Sequence, residues 1–227
     1  KKFVMFGRKK SSASSSSSTS SSTKKKEDNS INEEILRTFN LFTDPSDPEK
    51  ISIEGIGRLG EQLGMDPASD VRLLVLLWRL GSSSRPGSIT KEEFLTGMKR
   101  FGAATVDDLL RKVSSLDPGF LERTEFREFY RFVFQFSREG THKTIEKDII
   151  LSLLPIVIDK NRAPHLEYFL QFLEGCSQTV VTLDQWDSFL QFNESVDINL
   201  SQYNDESAWP LLLDEYVEWR RQSLGKK

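Results

Sequence analysis

YNDESAWPLLLDEYVEW, residues 203–219, is the stretch that decides the fold. It begins with an acidic turn, and Trp209 and Pro210 are then expected to open a helix, since Pro is tolerated at the first helical position. One face of that helix is apolar and the other is acidic, with Leu212, Leu213, Tyr216 and Trp219 opposite Asp214, Glu215 and Glu218. The apolar face predicts packing that closes the C-terminal part of the fold. The acids beside aromatic residues predict a binding surface, and an ordinary solvated surface helix is the alternative.

Charge divides the chain of 227 residues into two parts. The net charge is −3, but residues 1–28 carry +6 and residues 29–227 carry −9. An acidic body argues against nucleic-acid binding and favours a basic protein partner. No apolar run approaches the roughly 20 residues of a membrane helix, and the first ten residues lack the apolar core of a signal peptide. The single cysteine, Cys176, excludes an internal disulfide and suits the cytosol or nucleus.

Composition also separates a tail from a domain. Residues 1–29 are rich in Ser and Lys, bury too little apolar surface to fold, and are expected to be a disordered tail. The basic clusters at residues 8–10 and 24–26 are either nuclear-import signals or solubilising charge. Residues 30–225 are expected to form one all-α domain, with an EF-hand-like half at residues 30–138 and a second helical half at residues 139–225.

Helical periodicity and capping residues predict ten helices. Their expected ranges are Ile31–Phe42, Ile53–Leu63, Asp66–Trp78, Thr90–Phe101, Val106–Leu116, Glu122–Arg138, Ile145–Ile158, Pro164–Glu174, Leu183–Phe192 and Trp209–Arg221. The segments around Ile51 and Ile89 predict one very short strand contact, and no further sheet is expected.

Two helix–loop–helix units resemble EF-hands but lack the ligands that calcium needs. With Ile51 at loop position 8, the first loop keeps Asp44 but has Gly55 where a bidentate Glu belongs. With Ile89 at position 8, the second loop keeps Gly87 and Glu93 and has one carboxylate. We therefore expect the EF-hand shape without a metal site. His142 and His165 are expected on the surface, and neither they nor Cys176 has a partner that would make a catalytic set.

Several motifs together resemble the defective-in-cullin-neddylation family, which carries the potentiating-neddylation (PONY) domain. They are the paired degenerate EF-hands, DPAS before LLVLLW, KEEF followed by GM, FREFYRFVFQF, LDQW and YNDESAWPLLLDEYVEW, and they span roughly residues 30–222. The resemblance implies a monomeric scaffold that needs no cofactor or nucleophile of its own. Such a scaffold holds a cullin and the conjugating enzyme charged with a ubiquitin-like modifier, and orients a cullin lysine towards the thioester. The lysine-rich tail resembles that of nuclear members, so nucleus and cytoplasm are the expected locations.

The resemblance places two binding sites on this chain. The first is an acidic patch for the winged-helix C-terminal domain of a cullin, formed by Asp184, Ala208 and Asp214, in which two carboxylates hold Lys or Arg. The cullin RING subunit and the modifier would then be indirect partners. The second is an apolar pocket for the acetylated N-terminal methionine of the conjugating enzyme, lined by Ile53, Ile56, Leu73, Leu76, Leu77, Leu80, Ile89, Phe136 and Ile156. From the residues alone, ordinary core packing is the favoured interpretation of these apolar positions, and only the resemblance assigns them to a pocket.

Two other classes of function remain open at this point. An EF-hand-like adaptor or calcium sensor would explain the helix–loop–helix units, although the loops lack carboxylates. An enzyme with a hidden site would need an acid–base pair, a phosphate loop or a metal cluster, and the sequence has no motif for one.

Overall fold

The computed structural model describes residues 19–83 and 85–225. These residues are mostly helical, which confirms the all-α class. The helices are α1 Thr19–Asn40, α2 Ile53–Gln62, α3 Val71–Leu80, α4 Lys91–Phe101, α5 Val106–Leu110, α6 Arg123–Ser137, α7 Lys147–Val157, α8 Leu166–Gly175, α9 Leu183–Ser195 and α10 Leu211–Leu224, with 3-10 turns at Val113–Leu116 and Pro118–Phe120. The strands are β1 Lys50–Ile51, β2 Ile89–Thr90, β3 Thr144–Glu146 and β4 Val180–Thr182. Across this part of the chain, no helix combines the length and the apolar character needed to cross a membrane.

Several helix starts differ from the predicted ones. α1 begins at Thr19, so residues 19–29, which were assigned to the tail, are helical; three consecutive Lys residues and Glu27, all good helix formers, lie between this start and the predicted one. α3 begins only at Val71, because Asp70 caps it, while Asp66 holds a separate turn by accepting from the Ala68 amide at 3.0 Å. α10 begins after Pro210, which is its N-cap rather than its first residue. The basic cluster at residues 8–10 lies outside the described residues.

The strands form two small antiparallel pairs. β1 pairs with β2, as predicted, with Ile51 opposite Ile89. β3 pairs with β4, which was not predicted; the helix expected from Ile145 begins instead at Lys147. Each pair leads directly into a helix with a capping box, formed by Thr90 for α4 and Thr182 for α9. The second of these boxes sets the direction of α9 and so the position of its first turn.

Carboxylates in the first EF-hand-like half form hydrogen bonds that close the loops. Asp44 accepts from the Ser46 amide at 2.8 Å and from its hydroxyl at 2.7 Å. Glu93, at the last ligand position of the second loop, accepts from the amides of Ser83 and Thr90, both at 2.9 Å. Glu93 thus ties the loop to the start of α4 with protein donors.

α6 is the helix that connects the two halves, since it packs against both α3 and α9. On one side Phe129 meets Trp78 of α3 with ring centroids 5.9 Å apart. On the other side Tyr130 stacks on Trp186 of α9 at 4.4 Å, and the Trp186 indole donates to the Tyr130 carbonyl at 2.9 Å. The buried apolar residues of both halves belong to one continuous core. The predicted division at residue 138 remains a prediction.

We expect Gly97→Ala to destabilise the fold by about 2 kcal/mol, because helices α3 and α4 touch at this glycine. A Cβ at Gly97 would lie 2.1 Å from the Leu80 carbonyl oxygen, which is backbone and cannot rotate away. Urea unfolding followed by circular dichroism measures the change. Gly57→Ala is the matched control, since its Cβ would meet nothing closer than Pro67 at 4.0 Å; Ala in a helix then stabilises by about 0.5–1 kcal/mol. Equal effects at both glycines would contradict the close approach.

Candidate functional site

The structure brings two of the predicted patch residues together where α9 meets the turn before α10. Asp184 lies exposed in the first turn of α9, and Ala208 lies exposed in the turn. Both line one shallow cavity of about 590 Å³, beside Asp187 and Trp209. Because Ala208 carries only a methyl group, the backbone of a partner can approach the cavity closely at this point.

Ring packing and a hydrogen bond fix the turn that carries Ala208. The Asn204 carbonyl accepts from the Ser207 amide at 3.0 Å, which closes the turn. The Trp209 ring then packs edge-on against Phe192 of α9, with ring centroids 5.5 Å apart. Neighbouring residues of the chain therefore hold Ala208 against α9. Its methyl group is exposed in the free protein, before any partner binds.

Asp214, the third predicted patch residue, lies outside that cavity in the first turn of α10. It is half-buried and accepts a hydrogen bond from the Tyr203 hydroxyl at 2.5 Å. Burial, this hydrogen bond and the charge of Asp214 together raise the pKa of Tyr203 far above its usual value, so the hydroxyl stays a donor. Tyr203 thus links Asp214 to the turn that carries Ala208.

Asp187 also belongs to this surface, and the sequence did not single it out. It lies one helical turn after Asp184 and lines the same cavity. Arg131 of α6 forms an ion pair with it at 3.2 Å. Burial raises the pKa of Asp187, the charge of Asp184 adds to that effect, and Arg131 opposes it. The spacing of Asp184 and Asp187, three residues apart on one helix face, is the sequence pattern that could have predicted this second acid.

An apolar groove of about 1020 Å³ lies where the second predicted site was expected. α2, α3, the end of α6 and α7 contribute to it. Six of the nine predicted pocket residues line it, namely Ile53, Ile56, Leu73, Leu77, Phe136 and Ile156. Leu74, Ile149 and Leu153 also line it. Two of the lining residues are unusually exposed for their type, Ile53 at 55% and Ile149 at 44%, which is typical of a surface that binds an apolar group.

The other three predicted pocket residues do not line this groove. Leu76, Leu80 and Ile89 are at most 1% exposed and belong to the core. Residues on a helix turn by about 100° each, which places Leu76 roughly 110° from the centre of the groove side of α3. Leu80 lies where α3 meets Gly97 of α4, and Ile89 is paired within the first small sheet. On α3, Leu74 takes the place that the prediction gave to Leu76.

Comparison with known proteins identifies the family. A sequence model of the family described as cullin binding matches residues 108–219, which contain Asp184, Ala208 and Asp214. DCN1-like protein 5 of Homo sapiens is 33% identical over 173 residues, which cover 76% of this chain and 72% of the relative. The chain belongs to the DCN1-like family. DCN1-like protein 4 of Danio rerio is 33% identical over 73% of this chain and 58% of the relative, and that of Drosophila melanogaster is 28% identical over 81% and 73%.

The DCN1-like chain buries a histidine between α9 and α10, whereas a surface histidine was expected. His165 is 0% exposed. Its Nδ1 lies 2.8 Å from the Tyr216 hydroxyl of α10, and its Nε2 lies 3.1 Å from the Asp197 carbonyl oxygen. The neutral ring satisfies both contacts when Nε2–H donates to the carbonyl and Nδ1 accepts from Tyr216. His142, in contrast, is exposed as expected. His165 lies at the start of a helix, and nothing in the sequence around it indicates that the ring is buried and hydrogen-bonded.

We expect the protein to lose stability as the pH falls below about 6.5, the usual pKa of histidine. Burial lowers the pKa of His165, nearby Arg220 adds to this, and carbonyl contacts and Asp197 oppose it. The unfolded chain therefore binds the proton more readily than the folded one. The stabilisation that neutral His165 provides is fully present above pH 6.5 and is lost as the pH falls towards the lowered pKa of the folded state. Urea midpoints at about pH 7.5 and pH 5.5 measure the loss. His165→Gln should reduce the difference, whereas His142→Gln should keep it; equal behaviour of the two variants would contradict the assignment.

Across residues 19–83 and 85–225, no three His, Cys, Asp or Glu side chains are grouped to hold a metal ion. Cys176 is half-buried, and its thiol donates to the Leu173 carbonyl at 3.3 Å. Within the described residues, the predicted site residues come together in two places, the patch cavity and the apolar groove.

Proposed function

We propose that this DCN1-like chain binds the winged-helix C-terminal domain of a cullin through Asp184, Ala208 and Asp214. The observation that carries the proposal is that Asp184 and Ala208 share one exposed cavity within the region matched by the cullin-binding family. Carboxylates on both sides of a small residue suit a basic partner, because they form charge-assisted hydrogen bonds to Lys or Arg while the backbone approaches closely. The net charge of −9 over residues 29–227 attracts such a partner over a longer range.

The second part of the proposal is that the apolar groove binds the acetylated N-terminal methionine of the neddylation conjugating enzyme. Exposed Ile53 and Ile149 on the groove wall support it, because they offer apolar surface that a methionine side chain would cover. Acetylation removes the charge of the terminal amine, so its burial in this groove costs far less than burial of an ammonium group.

Both sites lie along one rigid helix, which suits a scaffold that positions two reactants. Phe136 of α6 lines the apolar groove, and Arg131 of the same helix lines the patch cavity. Five residues of α-helix correspond to a rise of about 7.5 Å along the axis. A cullin and a charged conjugating enzyme held on this helix would be fixed in relative orientation, and orientation alone can supply several kcal/mol of a barrier. The chain would thereby promote transfer of the ubiquitin-like modifier without a nucleophile of its own.

A reconstituted conjugation reaction tests the proposal. The rate at which the modifier joins the cullin lysine is measured with and without this chain, at concentrations of the conjugating enzyme well below saturation. We expect a faster initial rate, and binding of the isolated cullin C-terminal domain in calorimetry. Cullin binding without any rate increase would support the cullin contact but contradict the scaffold role. Absence of both binding and rate increase would contradict the whole proposal.

A further inference from the structure

An arginine-lined cavity of about 690 Å³ lies between the apolar groove and the acidic patch. Its arginines come from α3, the loop before β2, α4, the second half of α6 and the residue that caps the end of α6: Arg79, Arg85, Arg100, Arg131 and Arg138. Among the described residues that line it, Glu128 is the single acid. We call this cavity the arginine groove. The positive charge of this groove is a local feature, because the net charge of residues 29–227 is −9.

Three of the five arginines form no close ion pair within the described part of the chain, whereas Arg79 pairs with Glu125 at 3.1 Å and Arg131 with Asp187 at 3.2 Å. Arg100 Nη2 donates to the Arg79 carbonyl at 2.7 Å, and Arg138 Nη1 donates to the His142 carbonyl at 2.8 Å. These bonds orient the guanidinium groups but do not neutralise them, because a carbonyl carries no net charge. Arg85 lies 3.9 Å from Asp47, at the limit of an ion pair, and 63% of its side chain is exposed. Carboxylates of a partner can therefore add to hydrogen bonds that already position the donors.

Aromatic side chains line the same groove. Trp78 and Phe132 are half-buried there, and Arg79 lies over the Trp78 ring at 4.6 Å. The Phe132 ring centroid is 5.4 Å from that of Phe136, which also lines the apolar groove. Arginines beside exposed aromatic surface are enriched at the centres of protein interfaces. This combination suits a peptide that alternates carboxylates with apolar side chains better than a lone small anion.

We propose that the arginine groove binds an extended acidic segment of a protein partner, with Asp or Glu interspersed with apolar residues. The location supports an extended ligand, since Arg85 and Arg138 also line the apolar groove and Arg131 also lines the patch cavity. The chain's own tail is excluded as the occupant by its charge of +6 over residues 1–28. Nucleic acid fits poorly, because affinity for it grows with the number of neutralised phosphates and the acidic body repels the rest.

Fluorescence anisotropy with a labelled peptide of alternating Glu and Phe tests this inference on the full chain. We expect binding that weakens as salt rises from about 0.05 M to about 0.3 M, because screening shortens the reach of the charges. Arg100→Gln, Arg138→Gln and Arg85→Gln should each weaken binding by about fivefold. Arg85 is largely exposed and lies 3.9 Å from Asp47, so its replacement tests charge with little effect on the fold.

Matched controls separate the groove from net charge and from the proposed function. Arg111→Gln removes the same charge from an arginine outside the groove and should leave the peptide affinity unchanged. Asp214→Ala, placed in the cullin patch, should also leave it unchanged, so the two proposals can fail separately. Equal binding of the same peptide with Gln in place of Glu, or of an oligothymidylate, would overturn the inference. So would absence of peptide binding at about 1 mM, the weak end of the affinity scale.

Discussion

Ala208→Arg will weaken binding to the cullin C-terminal domain by at least about 100-fold. Ala208 is exposed on a turn that Trp209 fixes against α9, so the turn cannot easily withdraw from a larger side chain. An arginine there would fill the space that the partner's backbone needs. It would also place a positive charge beside Asp184, where a lysine or arginine of the cullin is proposed to bind. Isothermal titration calorimetry with the isolated cullin domain measures the loss.

The control for this variant is the same substitution at another exposed alanine. Ala68→Arg changes the charge and volume equally but lies on the wall of the apolar groove. It should leave cullin affinity unchanged. Asp214→Ala should weaken binding by about tenfold, because it removes one carboxylate and leaves space. Helicity measured by circular dichroism should be the same for all three. Undiminished cullin binding by Ala208→Arg would remove the patch from consideration.

The patch shows which parts of a site local sequence can reveal. Asp184 and Ala208 lie on separate segments, and only resemblance to a family brought them together before the structure did. The hydrogen bond from Tyr203 to Asp214 and the ion pair from Arg131 to Asp187 depend on how helices pack. Such contacts join positions whose spacing along the chain has no period, so no local pattern marks them.

The fold was predictable where the signal is a cap or an amphipathic period. The Thr90 capping box and the apolar face of α10 are examples, and both are confirmed. β3 and β4 were missed because a three-residue strand becomes stable only through its partner, far away in the chain. Leu76 was misplaced relative to the groove for a similar reason, since α3 is apolar nearly all round and its periodicity does not say which side faces a cavity.

An acetylated N-terminal peptide of the conjugating enzyme will bind about 100-fold more tightly than the same peptide with a free amine. The groove wall is largely apolar, with Leu73, Leu77 and Ile156 among its residues. A free α-amino group has a pKa of about 7.7–8.0 and is mostly charged at pH 7. Its burial would cost several kcal/mol, and leaving it in water would keep the methionine side chain from entering. Fluorescence anisotropy with the two labelled peptides measures the difference.

The Ala68→Arg variant separates this groove from the cullin patch. It should weaken the acetylated peptide by about tenfold, because the arginine crowds the groove wall, while Ala208→Arg should leave that peptide unaffected. The two alanine variants thus predict opposite results for the two ligands, which a general loss of folding cannot imitate. Raising the pH from about 7 to about 9 should also narrow the gap between the two peptides, because the free amine then loses its proton. A gap that persists unchanged at high pH would mean that the acetyl group acts by contact rather than by removing charge, and equal affinities at pH 7 would contradict the apolar groove as the site of the N-terminus.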